Sequence, residues 1–222
     1  RIYLKNLKVK NKLKAIVTAG PTKEYIDPIR YLSNKSSGKQ GYEIAKSLLK
    51  KGFETTLISG PTTLEVNGDI NLIKVETAEE MFQSTLRSLP ADVAIFSAAV
   101  CDYKVKEVSK IKIKKQDEIS LELEKNLDIL DYVSNHNSLR PKLVVGFAAE
   151  TNDLEEYANK KLNEKNCDWI IANDISDQTV GFEANFNKIS IYYKNKPEEN
   201  FEKMSKSLVA EEIVRRVIQQ IN

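Results

Sequence analysis

The chain has 222 residues, with 34 Lys or Arg against 32 Asp or Glu, a net charge of +2 and 41% hydrophobic residues. This balance suits an ordinary soluble globular domain and lacks the basic excess of a dedicated nucleic-acid binder. No apolar run approaches the roughly 18 residues a membrane helix needs, so no membrane association is expected. The two cysteines, Cys101 and Cys167, make no disulfide framework, and without a signal peptide the expected compartment is cytoplasmic. Residue 1 is Arg, which fits a piece of a longer polypeptide.

In chain order, residues 1–14 are Lys/Asn-rich and read as a linker or N-terminal arm, leaving 15–222 as one domain. Residues 15–19 form a short apolar run closed by Gly20-Pro21, which predicts a buried strand and a turn. A long polar loop is expected next. From Gly41 the spacing of Ile44, Ala45, Leu48 and Leu49 predicts a helix, with Gly52 at its C′ position. Strands are predicted at 55–59, 71–75 and 92–96, and a helix at 78–89 with Met81, Phe82 and Leu86 on one side. Further strands at 143–147, 169–172 and 188–193 alternate with helices near 153–164 and 205–220. Strands and helices alternating in this way predict an α/β, Rossmann-like, mostly parallel sheet with helices on both faces. Ligands are then expected beyond the carboxyl ends of the strands.

Residues 103–125 break the rhythm. Lys110-Ile111-Lys112-Ile113-Lys114-Lys115 and Ile119-Ser120-Leu121-Glu122-Leu123-Glu124 both alternate with period 2, and Gln116-Asp117-Glu118 can turn between them. An antiparallel hairpin flap is predicted. Lys110, Lys112 and Lys114 would share one face about 7 Å apart, where they repel unless a polyanion or acidic groups lie opposite. A solvated edge strand, with lysines that discourage aggregation, is the alternative.

Neither standard phosphate loop is present: no G-x-G-x-x-G occurs, and the P-loop pattern fails at Ser33 and Gln40. The run from Ser33 to Gly41 nonetheless enters a helix directly, and unpaired first-turn donors there suit an anion. Ser36 and Ser37 acting only as helix caps is the plainer alternative. Tyr157, Lys161 and Lys165 fall on one face of a helix. Tyr157-x-x-x-Lys161 matches the catalytic pair of short-chain dehydrogenases, which makes an NAD(P)-dependent short-chain reductase the alternative function. Asp102 follows a strand end, whereas Asp27, Asp128 and Asp174 read as caps or turn residues. One histidine, His136, and two distant cysteines support neither a zinc site nor a nucleophilic triad.

Taken together, Thr18-Ala19-Gly20-Pro21-Thr22, the stretch from Ile26 to Lys39, Ser97-Ala98-Ala99-Val100-Cys101-Asp102-Tyr103 and Lys112-Ile113-Lys114-Lys115 resemble one family. So do Lys125-Asn126-Leu127-Asp128-Ile129-Leu130, Val145-Gly146-Phe147-Ala148-Ala149-Glu150-Thr151, Asn166-Cys167-Asp168 and Ala172-Asn173-Asp174. The family is phosphopantothenoylcysteine synthetase, the second activity of the bacterial bifunctional enzyme of coenzyme A biosynthesis. The resemblance implies a ligase in which the carboxylate of 4′-phosphopantothenate attacks CTP, giving an acyl-cytidylate and pyrophosphate. The amine of L-cysteine then displaces CMP, with a divalent metal, normally Mg2+, accompanying the triphosphate.

The resemblance also implies residue roles. Lys112 would neutralise charge developing on the phosphoryl groups. Asn34 would hold the acyl-cytidylate, since its amide can donate and accept at once, and Arg30 would bind substrate beside it. Gly20, Ser36, Ser37, Gly38, Ala98, Ala99 and Asp102 match the nucleotide-contacting turn, loop and strand end. Leu127, Asp128, Ile129 and Leu130 match the segment framing cytosine, and Phe147, Lys161 and Lys165 match further CTP contacts. Two positions depart from the pattern: Leu127 stands where Pro is usual and Cys101 where Ala is usual. The family is dimeric, so a homodimer is implied, as is fusion to an N-terminal flavin-dependent decarboxylase.

Overall fold

The computed structural model describes residues 12–115, 117–150, 153–174 and 184–221. Of the expected arm, only residues 12–14 fall within these, and Lys14 already opens the first strand. The first half contains β1 (Lys14–Ala19), β2 (Lys23–Asp27), β3 (Arg30–Ser33), α1 (Lys39–Lys50), β4 (Glu54–Ser59), β5 (Asn71–Lys74), α2 (Ala78–Arg87) and β6 (Val93–Phe96). Then follow β7 (Tyr103–Val105), β8 (Leu123–Lys125), α3 (Ile129–Ser134), β9 (Leu143–Glu150), α4 (Leu154–Glu164) and β10 (Trp169–Asp174). The chain closes with β11 (Phe186–Asn187), β12 (Ile189–Tyr193), β13 (Glu199–Asn200), β14 (Met204–Ser205) and α5 (Lys206–Ile221).

Short apolar runs of this kind bury both faces of a strand, which requires helices above and below the sheet. Among the described residues, eight strands form one sheet in the order β13-β12-β10-β9-β6-β1-β4-β5. The six strands from β10 to β5 are parallel, while β12 and β13 add an antiparallel edge. Counting the parallel strands along the chain gives the doubly wound order 3-2-1-4-5-6, with its reversal between β1 and β6. The α/β fold expected from the alternation is therefore the one formed.

Alternate residues of each strand separate into two cores. Ala15, Val17, Leu57, Ile95 and Val145 pack against Tyr42, Ile44 and Leu48 of α1 and Val209, Ile213 and Val217 of α5. Ile16, Ile58, Ala94, Val144 and Ile170 pack against Met81 and Phe82 of α2, Leu130 and Val133 of α3, and Leu162 of α4. Thr77 caps α2 in a reciprocal arrangement with Glu80. Among the described residues, no helix is long and apolar enough to cross a membrane.

Two expectations are corrected. The polar loop after β1 contains a hairpin, in which β2 and β3 pair antiparallel. Its turn is built by Asp27, whose Oδ1 accepts from the N–H groups of Ile29 and Arg30, both at 3.0 Å. The flap is antiparallel only at its base, where Tyr103–Val105 pairs with Leu123–Lys125. Residues 110–115 form no strand, so Lys110, Lys112 and Lys114 do not share a strand face. Period-2 alternation needs a partner strand or a core to become a sheet, and Ile111 has neither, being 74% exposed. The expected turn residue Gln116 lies outside the described residues.

Candidate active site

A cleft of about 630 Å³ opens beyond the carboxyl ends of β1 and β6, where the strand order reverses. Its floor is built from tight backbone approaches. Thr18 carries the inner end: its carbonyl accepts from Ser97 Oγ at 2.7 Å, and its Oγ1 accepts from the Ala98 N–H at 3.3 Å. One step out, the Ala99 N–H donates to the Gly20 carbonyl at 2.9 Å. Thr22 Oγ1 then accepts from the Cys101 N–H at 3.0 Å. These bonds splay the 97–102 segment across the end of β1, so Ala98, Ala99 and Asp102 face the cleft.

One wall is the loop from Asn34 into α1. Gly38 adopts φ 74° and is the N-cap of α1 without a side-chain cap; Ser37 Oγ accepts from the Lys39 N–H only at 3.4 Å. This end of α1 meets the cleft, which Ser36, Ser37, Gly38, Gln40 and Gly41 line. Gly41 lets α1 approach the sheet: a Cβ there would lie 2.6 Å from both Ala19 Cβ and Ser97 Oγ. Asn34 reaches across the loop, and its Nδ2 donates to the carbonyls of Ala99 at 3.2 Å and Val100 at 3.1 Å.

The opposite wall comes from β8, α3 and α4. Asp128 caps α3 by accepting from the Asp131 N–H at 2.9 Å, and its Oδ2 also meets Lys165 Nζ at 3.0 Å. That bond raises the Lys165 pKa above its ordinary value. Lys161 Nζ donates to the Phe147 carbonyl at 2.8 Å. Leu127, Ile129, Leu130 and Phe147 line the same side. Cys101 lies in the lining, and burial holds its thiol above the ordinary pKa, which suits no nucleophilic role.

The site residues that the family resemblance implies all line this one cleft except Gly20, Arg30 and Lys112. Gly20 lies directly beneath, where Gly38 packs on it so closely that a Cβ on Gly38 would come within 3.1 Å of Gly20 N. Arg30 instead binds Asp27 and the Ile113 carbonyl, and Lys112 is exposed on the flap. Tyr157, 43% exposed, stands outside the cleft that Lys161 lines, so the dehydrogenase-like pair is not assembled. On the same helix Lys160 pairs with Glu164, four residues on. The Asp174 side chain lies outside the described residues.

Sequence reasoning missed the inner end of the cleft, where Lys39, Gln40, Asn187 and Lys206 meet. Gln40 Nε2 donates to the Lys206 carbonyl at 3.1 Å, and Gln40 Oε1 accepts from Asn187 Nδ2 at 2.9 Å. Lys206 is only 3% exposed; burial, helped by the nearby Lys39 charge, pushes its pKa down to about 8. A signal was available: Lys206 stands three and seven residues before Val209 and Ile213, on the apolar stripe of α5.

The fold and cleft define a doubly wound protein with a candidate ligand site at its strand-order reversal, lined by lysines and a helix N-terminus. The chain belongs to the family described as "DNA/pantothenate metabolism flavoprotein C-terminal domain", which matches residues 10–221. It is 44% identical over 210 residues to the coenzyme A biosynthesis bifunctional protein CoaBC of Haemophilus influenzae, covering 94% of this chain and 52% of that protein. It is 41% identical to the Bacillus subtilis protein of the same name, over 91% of this chain and 50% of the relative. The chain thus spans about half the length of these curated relatives. A crystal structure of the C-terminal domain of CoaBC superposes with a TM-score of 0.80 at 36% identity, covering 94% of this chain and 95% of that one.

Proposed function

We propose that the chain is a phosphopantothenate–cysteine ligase that uses CTP and works through an acyl-cytidylate. The observation that carries this reading is the single cleft at the switch point, which gathers the Asn34 loop, the 97–102 strand end, the 127–130 segment, Phe147 and the α4 lysines. The 4′-phosphopantothenate carboxylate attacks the α-phosphorus of CTP and expels pyrophosphate. The L-cysteine amine then attacks the acyl carbon, loses its proton and expels CMP. The α1 N-terminus, Lys161, Lys165 and Lys206 supply positive potential to the phosphates. Leu127, Asp128, Ile129 and Leu130 frame the base, and Asn34 holds the mixed anhydride against the 97–102 segment.

Among the described residues, no cluster of three His, Cys, Asp or Glu forms a closed metal cage. This donor set suits Mg2+, which is commonly held by one or two carboxylates together with substrate phosphates. Asp102 is the carboxylate to hold it, since Asp128 is paired with Lys165. When bound, the metal would screen the triphosphate.

Lys112 enters as part of a homodimer, with the flap of one copy reaching the cleft of the other. Support comes from a run of exposed apolar residues on the flap, Val108, Ile111, Ile119, Leu121 and Leu123, beside Ile29 and Tyr31 on the adjoining hairpin. A cluster of exposed apolar side chains fits an interface. A preceding flavin-dependent decarboxylase domain is consistent with relatives twice as long as this chain.

The test is pyrophosphate release with CTP, 4′-phosphopantothenate and Mg2+, with and without L-cysteine. Release that needs both CTP and phosphopantothenate, with amide formed only when cysteine is added, is expected. No release with any nucleotide, or consumption of NADPH instead, overturns the ligase. A pH dependence follows from Lys206. A bound polyanion favours its ammonium form, so binding above about pH 8 takes up a proton and weakens as pH rises. Calorimetry of CTP binding at pH 8.5 in buffers of different ionisation enthalpy is expected to show uptake; proton release contradicts it.

A further inference from the structure

Between Lys106 and Glu122, whose N–H and carbonyl pair at 3.0 Å, the described residues of the flap carry no regular structure, yet its lysine run is fastened at one residue. The Ile113 N–H donates to Asp27 Oδ2 at 3.1 Å, and the Ile113 carbonyl accepts from Arg30 Nη2 at 2.8 Å. The first bond fixes the peptide plane shared with Lys112, and the second fixes the plane shared with Lys114. Both partners are held by further hydrogen bonds. Asp27 is fully buried and also accepts from its own turn and from Arg30 Nε at 2.9 Å, while the guanidinium bridges Asp27 and Ile113. A second tie, from the Ser109 N–H to the Ile26 carbonyl at 3.0 Å, brings the flap onto the same hairpin.

The charge pattern explains why an ion pair serves here. Lys110, Lys112, Lys114 and Lys115 repel one another, and a lone arginine beside them would add to that repulsion. Pairing Arg30 with Asp27 removes most of the added charge while leaving donors and acceptors free to grip the backbone. The Arg30 pair with Asp27 also holds that carboxyl well below the usual carboxylate range, so the clasp persists across physiological pH.

We propose that Asp27 and Arg30 are positioning residues that clasp the flap at Ile113 and set where Lys112 is presented to the nucleotide phosphates. This rests on Lys112 acting in the ligase reaction. Arg30 then contributes through the flap backbone instead of through direct contact with substrate.

The experiment uses the full chain as Asp27→Asn, Lys112→Gln and the double variant, with Arg30→Lys as a second route should Asp27→Asn fold poorly. In Asp27→Asn, kcat is expected to fall about a hundredfold, the cost of misplacing a catalytic group by about an ångström, with KM for CTP changed far less. The double variant is expected to be no slower than Lys112→Gln alone. Trypsin is expected to cut at the flap lysines about tenfold faster in Asp27→Asn and Arg30→Lys, reflecting local opening without global unfolding. Losses that multiply in the double variant, or unchanged trypsin cleavage, overturn the clasp. Near-normal turnover of Lys112→Gln sinks the role of Lys112, and the cleavage rates then still decide whether the clasp exists.

Discussion

Lys112→Gln is expected to lower turnover by about 10²–10³-fold, the loss typical when one preorganised charge-stabilising donor leaves a transition state. In the proposed reaction negative charge gathers on the phosphoryl oxygens as carboxylate attacks phosphorus, and an ammonium carried on the flap would meet it there. Glutamine keeps a donor on a side chain one atom shorter but removes the charge, so KM for CTP should change far less than kcat. Because Lys112 is exposed and does not line the cleft of its own chain, its partner cleft is expected to belong to the second copy. Mixing inactive Lys112→Gln with inactive Asn34→Ala should therefore restore activity through hybrid dimers carrying one intact site. Absence of any recovery, with subunit exchange verified, would place Lys112 and Asn34 in the same chain's site.

Gly60→Ala is expected to destabilise the protein by about 3 kcal/mol, at the upper end for forcing an atom into a packed site. A Cβ there would lie 1.7 Å from the Pro21 carbonyl oxygen and 2.8 Å from its carbon, both backbone atoms that cannot rotate away. The Gly60 N–H is also committed to the Ala19 carbonyl at 2.9 Å, so the residue cannot retreat without losing that bond. The displaced Gly20-Pro21 turn carries the bridge to Ala99 and the bed on which Gly38 packs, so nucleotide affinity should fall together with stability. For a domain of this size the melting midpoint should drop by about 10 °C. Urea unfolding that shows a change under about 0.5 kcal/mol, within the range of neutral surface substitutions, would contradict this.

The sheet was readable because buried parallel strands are near-continuous apolar runs, and those at 92–96 and 143–147 need no context to be recognised. The same holds for α1, α2 and α5, whose apolar spacing matches the buried faces found. The β2–β3 hairpin was not readable from pattern, since its turn depends on one side chain, Asp27, closing on backbone donors. The flap misled in the opposite direction. Its lysine and isoleucine alternation is a strand signal only where a neighbouring strand supplies hydrogen bonds, and residues 110–115 have none. Of the site, the lining from Asn34, Asp102, Leu127 and Lys161 was legible through motifs in order along the chain. Asn187 was not, because it arrives from β11 by tertiary packing alone, and Lys206 showed only as a lysine on the apolar stripe of α5.

The acyl-cytidylate is the centre of this account, and oxygen tracing reaches it most directly. With 4′-phosphopantothenate labelled by 18O in its carboxylate, attack on the α-phosphorus makes that oxygen the bridge of the anhydride. When the cysteine amine attacks the acyl carbon, the C–O bond breaks and the labelled oxygen leaves on CMP. Mass spectrometry of the products should therefore find one 18O in CMP and none in pyrophosphate. CMP free of 18O, with the lost label found in pyrophosphate or in inorganic phosphate beside a nucleoside diphosphate, would contradict activation through an acyl-cytidylate.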